Sequence, residues 1–404
     1  MGRPKNRDEY RKELAEGFVK ALEEKGLSWK KEWKGHGGLA PHNGVTKANY
    51  RGCNAFWLSV VSAMKGYDDP RWVTMVQIMD KKGIYHPKEK WHLKAGSKAT
   101  YVEYFYPYDR KEKKALTWDQ YKELLKDGRK PEEFLLSSRY TAVFNASLVE
   151  GMPELEVEHD RNPEVEADRI VGRIASGMQV PILNDGGDRA YYSPSEDCIH
   201  LPTPESFATT YAYNATALHE LCHSSGSESR LNRNIQNFFG SEPYAYEELV
   251  AEIGSSFLGF HLQAEPSEAH IQNHQAYVQS WIQEIREKPD TLMHAIKDAQ
   301  AAANYMEWKG GLLTEKEYQQ LRGETFTVPE NRIREAAVSK DRPENALKNA
   351  EMAMEDDFNM IDGIINNGPK ESIKEQLESA KVLCANPPVK EKANHTKTME
   401  DRDL

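Results

Sequence analysis

The sequence predicts an α+β protein with two domains and a helical C-terminal extension. Length is the first reason, because 404 residues exceed an ordinary single domain. The second reason is that strand-like segments, residues 99–108 and 139–145, follow amphipathic helices in the N-terminal part of the chain. The third is a series of helical patterns with few strand signals in the second half of the chain. The predicted parts are an N-terminal domain at residues 7–152, a second domain at residues 160–307 and the extension at residues 308–404.

The N-terminal domain begins with residues that recur at helical spacing. Leu14, Phe18 and Leu22 lie four residues apart among charged residues, which indicates an amphipathic helix. A charged insert between the two strands, residues 109–135, is predicted to be a surface excursion. The predicted helices of this domain are residues 7–26, 53–65 and 74–82.

The second domain is predicted to be mostly helical. Its predicted helices are residues 163–177, 204–224, 244–263, 267–286 and 290–307. Strand signals lie near residues 180–184 and 189–201. Beyond the domain, residues 343–383 have a helical pattern, whereas the prolines and charges of residues 385–404 are typical of disorder.

Charge is distributed unevenly along the chain. The first 150 residues contain 29 Lys+Arg against 20 Asp+Glu, whereas the rest of the chain contains 24 against 44. A basic module of this kind is suited to contact nucleic acid, and the acidic remainder is typical of an enzyme body. Charge varies along any chain, so this asymmetry alone leaves nucleic-acid binding as one of two open alternatives.

The cysteines and the absence of long apolar segments indicate the cellular compartment in which the protein is expected. The four cysteines are far apart and form no CxxC pair, which favours reduced thiols over a disulfide framework. No run of roughly 18 apolar residues occurs, and the N-terminus lacks the apolar stretch of a signal peptide. We therefore expect a cytoplasmic protein without a membrane span.

A His-Glu-x-x-His motif lies in the segment predicted to be the helix 204–224. Residues four apart lie on one face of a helix, so His219 and His223 can present two imidazole nitrogens to one cation. Glu220 then reaches the open side of the metal, where it can accept a proton from bound water. The alternative is an ordinary helix whose two histidines are satisfied by protein partners.

A downstream helix supplies carboxylates at matching spacing. Glu248 and Glu252 are four residues apart, so both can point to the same side. Catalytic zinc usually takes three protein ligands, so we assign Glu248 as the third ligand and Glu252 as the carboxylate that orients a ligand histidine. The reverse assignment stays open, and Glu247 is expected to face solvent. The predicted cofactor is one Zn²⁺ per chain, with another divalent metal such as Mn²⁺ as the alternative.

These residue types predict a zinc metallopeptidase of the zincin type. Water bound to zinc has a pKa near ~7, and Glu220 can act as the general base that removes its proton. The segment 190–202 is expected to form a strand or hairpin that could pair with an extended peptide. His200 within it is interpreted as structural. Tyr192, Tyr244 and Tyr246 are candidate oxyanion donors, although simple packing is the favoured interpretation of these side chains.

Several longer motifs occur in order along the chain. The N-terminal half contains Asn-Tyr-Arg-Gly-x-Asn-Ala-x-Trp-Leu, Gly-Tyr-x-Asp-Pro-Arg-Trp-x-Thr and Val-Phe-Asn-x-x-x-Val-Glu-Gly-Met-Pro. The second half contains Tyr-Tyr-Ser-Pro-x-x-Asp-x-Ile-x-Leu-Pro, His-Glu-Leu-x-His-Ser-x-Gly and Tyr-x-x-Glu-Glu-Leu-Val-Ala-Glu-Ile-Gly. Over residues 7–307 this pattern resembles the ArdC-type antirestriction proteins of conjugative plasmids. The insert at 109–135 and the tail after residue 307 lie outside the resemblance.

The resemblance implies a single-stranded-DNA-binding N-terminal domain followed by a zincin-like metallopeptidase domain. It also implies that the protein belongs to a mobile element and protects incoming DNA from restriction. The expected partners are single-stranded DNA and an unidentified protein substrate, without a membrane. Two further interpretations stay open: the metal site is structural and supports no peptidase turnover, or the basic domain binds a protein partner.

Aromatic faces interleaved with cations are what a single strand needs, because bases stack on rings while Lys and Arg contact phosphates. The candidate DNA-binding residues are Tyr50, Arg51, Arg71, Trp72, Lys90 and Lys94. The same basic region contains Lys81, Lys82, Trp91 and Lys98. From the residues alone, the favoured interpretation is that Trp57 and Trp72 belong to the hydrophobic core.

Overall fold

The computed structural model describes most of the chain up to residue 324. The described residues are 4, 6–25, 39–86, 89–156, 163–185, 187–233, 235, 242–262 and 278–324. The segments predicted at 343–383 and 385–404 lie outside them, as does the first part of the helix predicted at 267–286. The described residues all belong to one structural unit, Met1–Gly363.

The N-terminal domain combines helices with a mixed sheet, which confirms the predicted α+β class. Its helices are α1 (Arg7–Lys25), α2 (Gly52–Lys65), α3 (Met75–Met79) and α4 (Trp118–Lys126). Its strands are β1 (His42–Asn43), β2 (Arg71–Thr74), β3 (His92–Leu93), β4 (Thr100–Asp109), β5 (Lys114–Ala115), β6 (Phe134–Asn145) and β7 (Val149–Glu150). The main sheet has the order β1-β2-β6-β4-β5, with β1 parallel to β2 and the other neighbours antiparallel. Strands β3 and β7 pair separately.

The insert at 109–135, predicted to be a surface excursion, contains a strand and a helix of its own. Strands β4 and β6 remain paired as far as Asp109 and Phe134, so the insert caps one long hairpin. Helix α4 begins in a capping box, in which Thr117 and Gln120 each accept a hydrogen bond from the other's backbone N–H. Trp118 and Tyr121 are buried in the insert. These aromatic residues were the feature of the sequence that could have predicted a small core within the insert.

The second domain is mostly helical, as predicted. Its helices are α5 (Pro163–Met178), α6 (Thr210–Ser224), α7 (Glu242–Leu262), α8 (Val278–Glu287), α9 (Asp290–Lys309) and α10 (Glu315–Glu324). Its strands are β8 (Ile182–Leu183), β9 (Tyr191–Ser193) and β10 (Cys198–His200). They form a small sheet in the order β8-β10-β9, so β9 is an outer strand within the described part of the chain. Helices of the described ranges are too short or too polar to cross a lipid bilayer.

The two domains are joined by a shared hydrophobic core. Leu14 and Phe18 of α1 belong to the same buried cluster as Ile296 of α9. The start of α2 is also bound to α9 by polar contacts. The guanidinium of Arg51 donates to the Asn304 side chain at 3.0 Å, and the backbone N–H of Gly52 donates to the Gln300 side chain at 2.7 Å.

A substitution at Gly17 can test the close packing of α1 against α2. A Cβ atom at Gly17 would overlap the indole ring of Trp57 and lie 2.7 Å from its Cζ3 atom. Because Trp57 is only 3% exposed, its ring cannot move aside freely. We expect Gly17→Ala to lower the free energy of unfolding by about 1–3 kcal/mol in denaturant titrations.

Gly172 in α5 is the matched control, since a Cβ there meets no atom within 4 Å. Gly172→Ala is expected to raise the free energy of unfolding by up to about 1 kcal/mol through helix propensity. Equal stabilisation by both substitutions would contradict the described contact between α1 and α2.

Candidate metal centre

Helix α6 presents the His-Glu-x-x-His motif from a buried position. Its N-terminus is capped by Thr209, whose hydroxyl accepts a hydrogen bond from the Ala212 N–H at 3.1 Å. One face of the helix packs into the core through a stripe at helical spacing. The members of this stripe are Tyr211, Ala215, Leu218 and Cys222. The helix is thereby fixed along one side, which leaves the histidine side for the site.

The structure brings together the three residues that were predicted to bind a metal. The Nε2 atoms of His219 and His223 lie 3.1 Å apart. The Glu248 carboxylate lies 3.5 Å from Nε2 of His219 and 3.6 Å from Nε2 of His223. One ligand atom from each residue falls within 4.8 Å of the other two. Two imidazole nitrogens converging on a carboxylate form a donor set that fits a divalent metal ion.

Glu252 lies behind His219. Its Oε1 atom is 3.7 Å from Nδ1 of His219, the ring nitrogen that points away from Glu248. Both side chains are almost fully buried. This geometry favours Glu248 over Glu252 as the third ligand, and the orienting role of Glu252 stays a prediction.

The expectation that Glu247 faces solvent is wrong. Glu247 is only 5% exposed, and its carboxylate lies 3.3 Å from Nδ1 of His223. The guanidinium of Arg233 donates to the same carboxylate at 2.7 and 3.1 Å. His223 therefore has a carboxylate next to its Nδ1 atom, as His219 does. Sequence reasoning missed Glu247 and Arg233, because the side of α7 that faces α6 is set by tertiary packing.

The electrostatics of the site favour a cation. Burial alone would lower the pKa of His223, but the hydrogen bond to Glu247 and the charges of Glu248 and Glu220 raise it to about 9. Burial would raise the pKa of Glu247, yet His223 and Arg233 hold it below its usual value. The carboxylates thus create a negative potential at the place where the two ligand nitrogens converge.

Glu220 is positioned by a neighbouring strand. It is 7% exposed, and its carboxylate accepts a hydrogen bond from the backbone N–H of Tyr192 at 2.9 Å. Tyr192 lies in β9, the outer strand of the small sheet. The predicted hairpin is therefore present, and its outer edge lies beside the general-base candidate.

Two of the tyrosines considered as oxyanion donors have other partners. The hydroxyl of Tyr192 donates to Asp197 at 2.7 Å, and that of Tyr246 donates to Asp298 at 2.8 Å. Asp197 is in turn bound by Arg230. These contacts agree with the favoured interpretation that both side chains serve packing.

Three of the six predicted DNA-binding residues are buried, which corrects the prediction for these three. Tyr50, Arg71 and Trp72 are buried, with Trp72 only 1% exposed. The Arg71 guanidinium is held by the carboxylate of Asp69 at 2.6 to 3.1 Å. Arg51 is directed to α9, as described above. A buried ring cannot stack on a base, so these residues organise the domain. Trp57 is buried as well.

Lys90 and Lys94 are exposed, as a role in DNA binding requires. Lys81, Lys82 and Lys98 lie in the same stretch of the chain and are exposed as well. That stretch also contains exposed apolar side chains that sequence reasoning missed, namely Met75, Val76, Met79 and Ile84. We name the exposed lysines and apolar residues of the segment 75–98 the α3 surface. Helix α3 begins in a capping box formed by Thr74 and Gln77.

The fold and the metal centre define a zincin-like metallopeptidase domain joined to an α+β N-terminal domain. Residues 169–298 match the family model of zincin-like metallopeptidases. Residues 8–144 match the N-terminal domain of the anti-restriction factor ArdC. Residues 343–384 match a domain of unknown function.

Solved structures and relatives agree with this class. The antirestriction protein ArdC of plasmid R388 superimposes in its metal-free form with a TM-score of 0.56 at 24% identity, covering 76% of this chain and 99% of that one. Its Mn(II)-bound form gives 0.55 at 26% identity, covering 74% and 97%. The Sinorhizobium fredii protein y4eC is 30% identical over 72% of this chain and 88% of its own length. The two matched domains, in this order, make this chain an ArdC-type protein.

Longer proteins contain a related region. A DNA primase TraC of Escherichia coli is 33% identical over 74% of this chain, and a second TraC is 32% identical over 72%. The matched region spans only 27% of the first TraC and 19% of the second.

The assignment of Glu248 as ligand can be tested with three Glu→Gln variants, which keep side-chain volume. We expect Glu248→Gln to weaken Zn²⁺ and Mn²⁺ binding by far more than ~100-fold, because it removes a ligand charge. Glu252→Gln and Glu247→Gln should each weaken binding about 10–100-fold, since each removes a carboxylate charge from the Nδ1 side of a ligand histidine. Competition titrations with a chromophoric chelator measure these affinities. A larger loss in Glu252→Gln than in Glu248→Gln would reverse the two assignments.

Proposed function

We propose that this protein is a single-stranded-DNA-binding antirestriction protein of a mobile element whose zincin-like domain hydrolyses peptide bonds with one bound Zn²⁺. The observation that carries the peptidase proposal is the position of Glu220. Its buried carboxylate follows His219 in the motif and is held by the backbone of an outer strand. That arrangement supports the proposal of a general base and a peptide-binding edge beside one metal centre.

His219, His223 and Glu248 would hold the metal. Two imidazoles and one carboxylate are a common donor set of catalytic zinc, which leaves a position for water. The R388 relative has a Mn(II)-bound structure, which keeps Mn²⁺ as the alternative to Zn²⁺. When bound, the metal would supply Lewis acidity and lower the pKa of a water molecule.

Glu220 is suited to proton transfer. The N–H of Tyr192 stabilises the ionised carboxylate and fixes its orientation. From that position Glu220 would take a proton from the attacking water and deliver it to the leaving amine. A purely structural metal site needs no base and usually closes its fourth position with Cys or His. The presence of Glu220 therefore favours turnover over the structural alternative.

The outer strand β9 would align the substrate. One edge of β9 pairs with β10, and the N–H of Tyr192 points from the strand toward Glu220. An extended peptide could add to the outer edge through backbone hydrogen bonds, which require no particular sequence. This binding mode suits an unfolded segment of a protein substrate.

The α3 surface would bind the single strand. Its lysines can neutralise phosphates, and its exposed apolar side chains can contact bases that have left the stack. Trp91 in the same segment is stacked on His86, with ring centroids 3.9 Å apart. The motif residues named above are buried, so the exposed groups of this domain make the stronger case.

The peptidase proposal predicts a selective loss in Glu220→Gln. Cleavage of fluorescently labelled casein by the zinc-loaded protein should fall about 10²–10⁴-fold, because general acid–base catalysis contributes that much. Zinc stoichiometry and single-strand binding should be unchanged. Glu205→Gln, at an exposed position just before α6, is the matched control and should keep full activity. Wild-type protein that cleaves no better than Glu220→Gln would exclude peptidase turnover on this substrate.

The DNA proposal predicts a local effect of charge. Lys90→Ala/Lys94→Ala should weaken binding to oligo-dT about tenfold and lower the slope of log affinity against log salt by about 1.4. Lys122→Ala/Lys126→Ala removes the same charge from exposed positions on α4 and should change the slope little. Fluorescence anisotropy at several salt concentrations measures both. Equal losses in the two double variants would place the DNA elsewhere.

A further inference from the structure

A second group of metal-binding side chains lies on β10, apart from the His219, His223 and Glu248 centre. Cys198 and His200 are two residues apart on this strand, so both side chains leave the same face. The Sγ atom of Cys198 is 3.2 Å from Nε2 of His200. The Glu196 carboxylate is 3.0 Å from the same nitrogen and 4.0 Å from the sulfur.

These distances suit a single small cation. The three ligand atoms all lie within 4.8 Å of one another. In a tetrahedral zinc site with bonds of about 2.0–2.3 Å, ligand atoms stand roughly 3.2–3.8 Å apart. The thiol, imidazole and carboxylate therefore need only small side-chain adjustments to share one ion.

Asp185 orients the histidine. Its Oδ1 atom is 2.7 Å from Nδ1 of His200, on the opposite side of the ring from Cys198. In the neutral ring, a carboxylate at Nδ1 holds the proton on that nitrogen, and the lone pair of Nε2 would then be directed at Cys198 and Glu196. Carboxylate–histidine pairs of this kind are typical of metal sites.

The surrounding fold holds the ring in place. Ile199, between the two ligands, is fully buried in the core and fixes the strand. The ring of Tyr191 in β9 stacks on His200, with centroids 4.7 Å apart and planes inclined by 14°. Cys198 and His200 are buried, whereas the side chains of Glu196 and Asp185 are 60% and 58% exposed. The carboxylates thus provide an entry path to a sheltered thiol.

A protonated His200 shared between two carboxylates would account for Asp185 and Glu196 without a metal. It would not account for the thiol, which is a weak hydrogen-bond partner directed at the same ring nitrogen. A mixed sulfur, nitrogen and oxygen donor set is selective for zinc over Mg²⁺, Ca²⁺ and Mn²⁺.

We infer that Glu196, Cys198 and His200 form a second zinc-binding site, with Asp185 as the carboxylate behind the histidine. Binding of Zn²⁺ converts the Cys198 thiol to a thiolate and releases its proton to the solvent. The ion joins β10 to the turn that leads from β9. That hairpin supplies the Tyr192 N–H to Glu220, so the second ion stabilises the strand beside the first site. The inference does not depend on peptidase turnover.

Metal loading of the full chain tests this site. After chelator treatment and reloading, we expect two Zn²⁺ per wild-type chain by elemental analysis. Cys198→Ser and His223→Ala should each retain one. Asp185→Asn should weaken the second site about 10–100-fold and leave the first unchanged. One Zn²⁺ per wild-type chain that is lost in His223→Ala and retained in Cys198→Ser would overturn the inference.

Cobalt substitution identifies the ligand without reliance on stoichiometry. Co²⁺ bound at Cys198 should give thiolate-to-cobalt charge-transfer absorption in the near ultraviolet. This band should persist in His223→Ala, vanish in Cys198→Ser and persist in Cys53→Ser, the matched thiol control on α2. Glu196→Gln, at an exposed position, should weaken Co²⁺ binding without affecting folding. Absence of the band in wild type, or its loss in Cys53→Ser, would contradict the assignment.

Discussion

Helix α6 packs against α7 so that two histidines of one helix face three glutamates of the other, and the zincin-like domain is organised around this contact. His219 lies by Glu252 and His223 lies by Glu247, so the pairings run in opposite chain directions and the helices are antiparallel here. Gly254 permits the close approach, because a Cβ at this position would lie 2.7 Å from the sulfur of Cys222. The apolar stripe of α6 and the glycine of α7 together fix the distance between the ligands.

The same contact buries several charged groups, which is costly unless each one is compensated. Arg233 compensates Glu247 with two hydrogen bonds, and the histidines compensate part of the remaining charge. A divalent cation between the two Nε2 atoms and Glu248 would complete the balance. The buried carboxylates therefore serve the site more than they serve the stability of the helices.

Some of this arrangement follows from the sequence and some does not. The spacing of His219 and His223 within an apolar-striped helix predicted their common face, because helical periodicity is local. The burial of Glu247 depends on how α7 is rotated against α6, which is tertiary information. The residues alone favoured a core position for Trp72, which its burial confirms, and the resemblance to a DNA-binding domain was what moved it into the predicted DNA-binding set. His200 was considered alone, although the two-residue period of a strand pairs it with Cys198.

The position of Arg51 changes the interpretation of the N-terminal motifs. Arg51 and Gly52 bind side chains of α9, so the Asn-Tyr-Arg-Gly segment fastens the two domains together. Helix α9 in turn packs against α7, with Ala299 close to Gly254. A continuous set of packed helices thus connects the N-terminal domain to the metal centre. Because the domains share one core, the N-terminal domain and the metal centre are parts of one packed unit rather than two bodies joined by a linker.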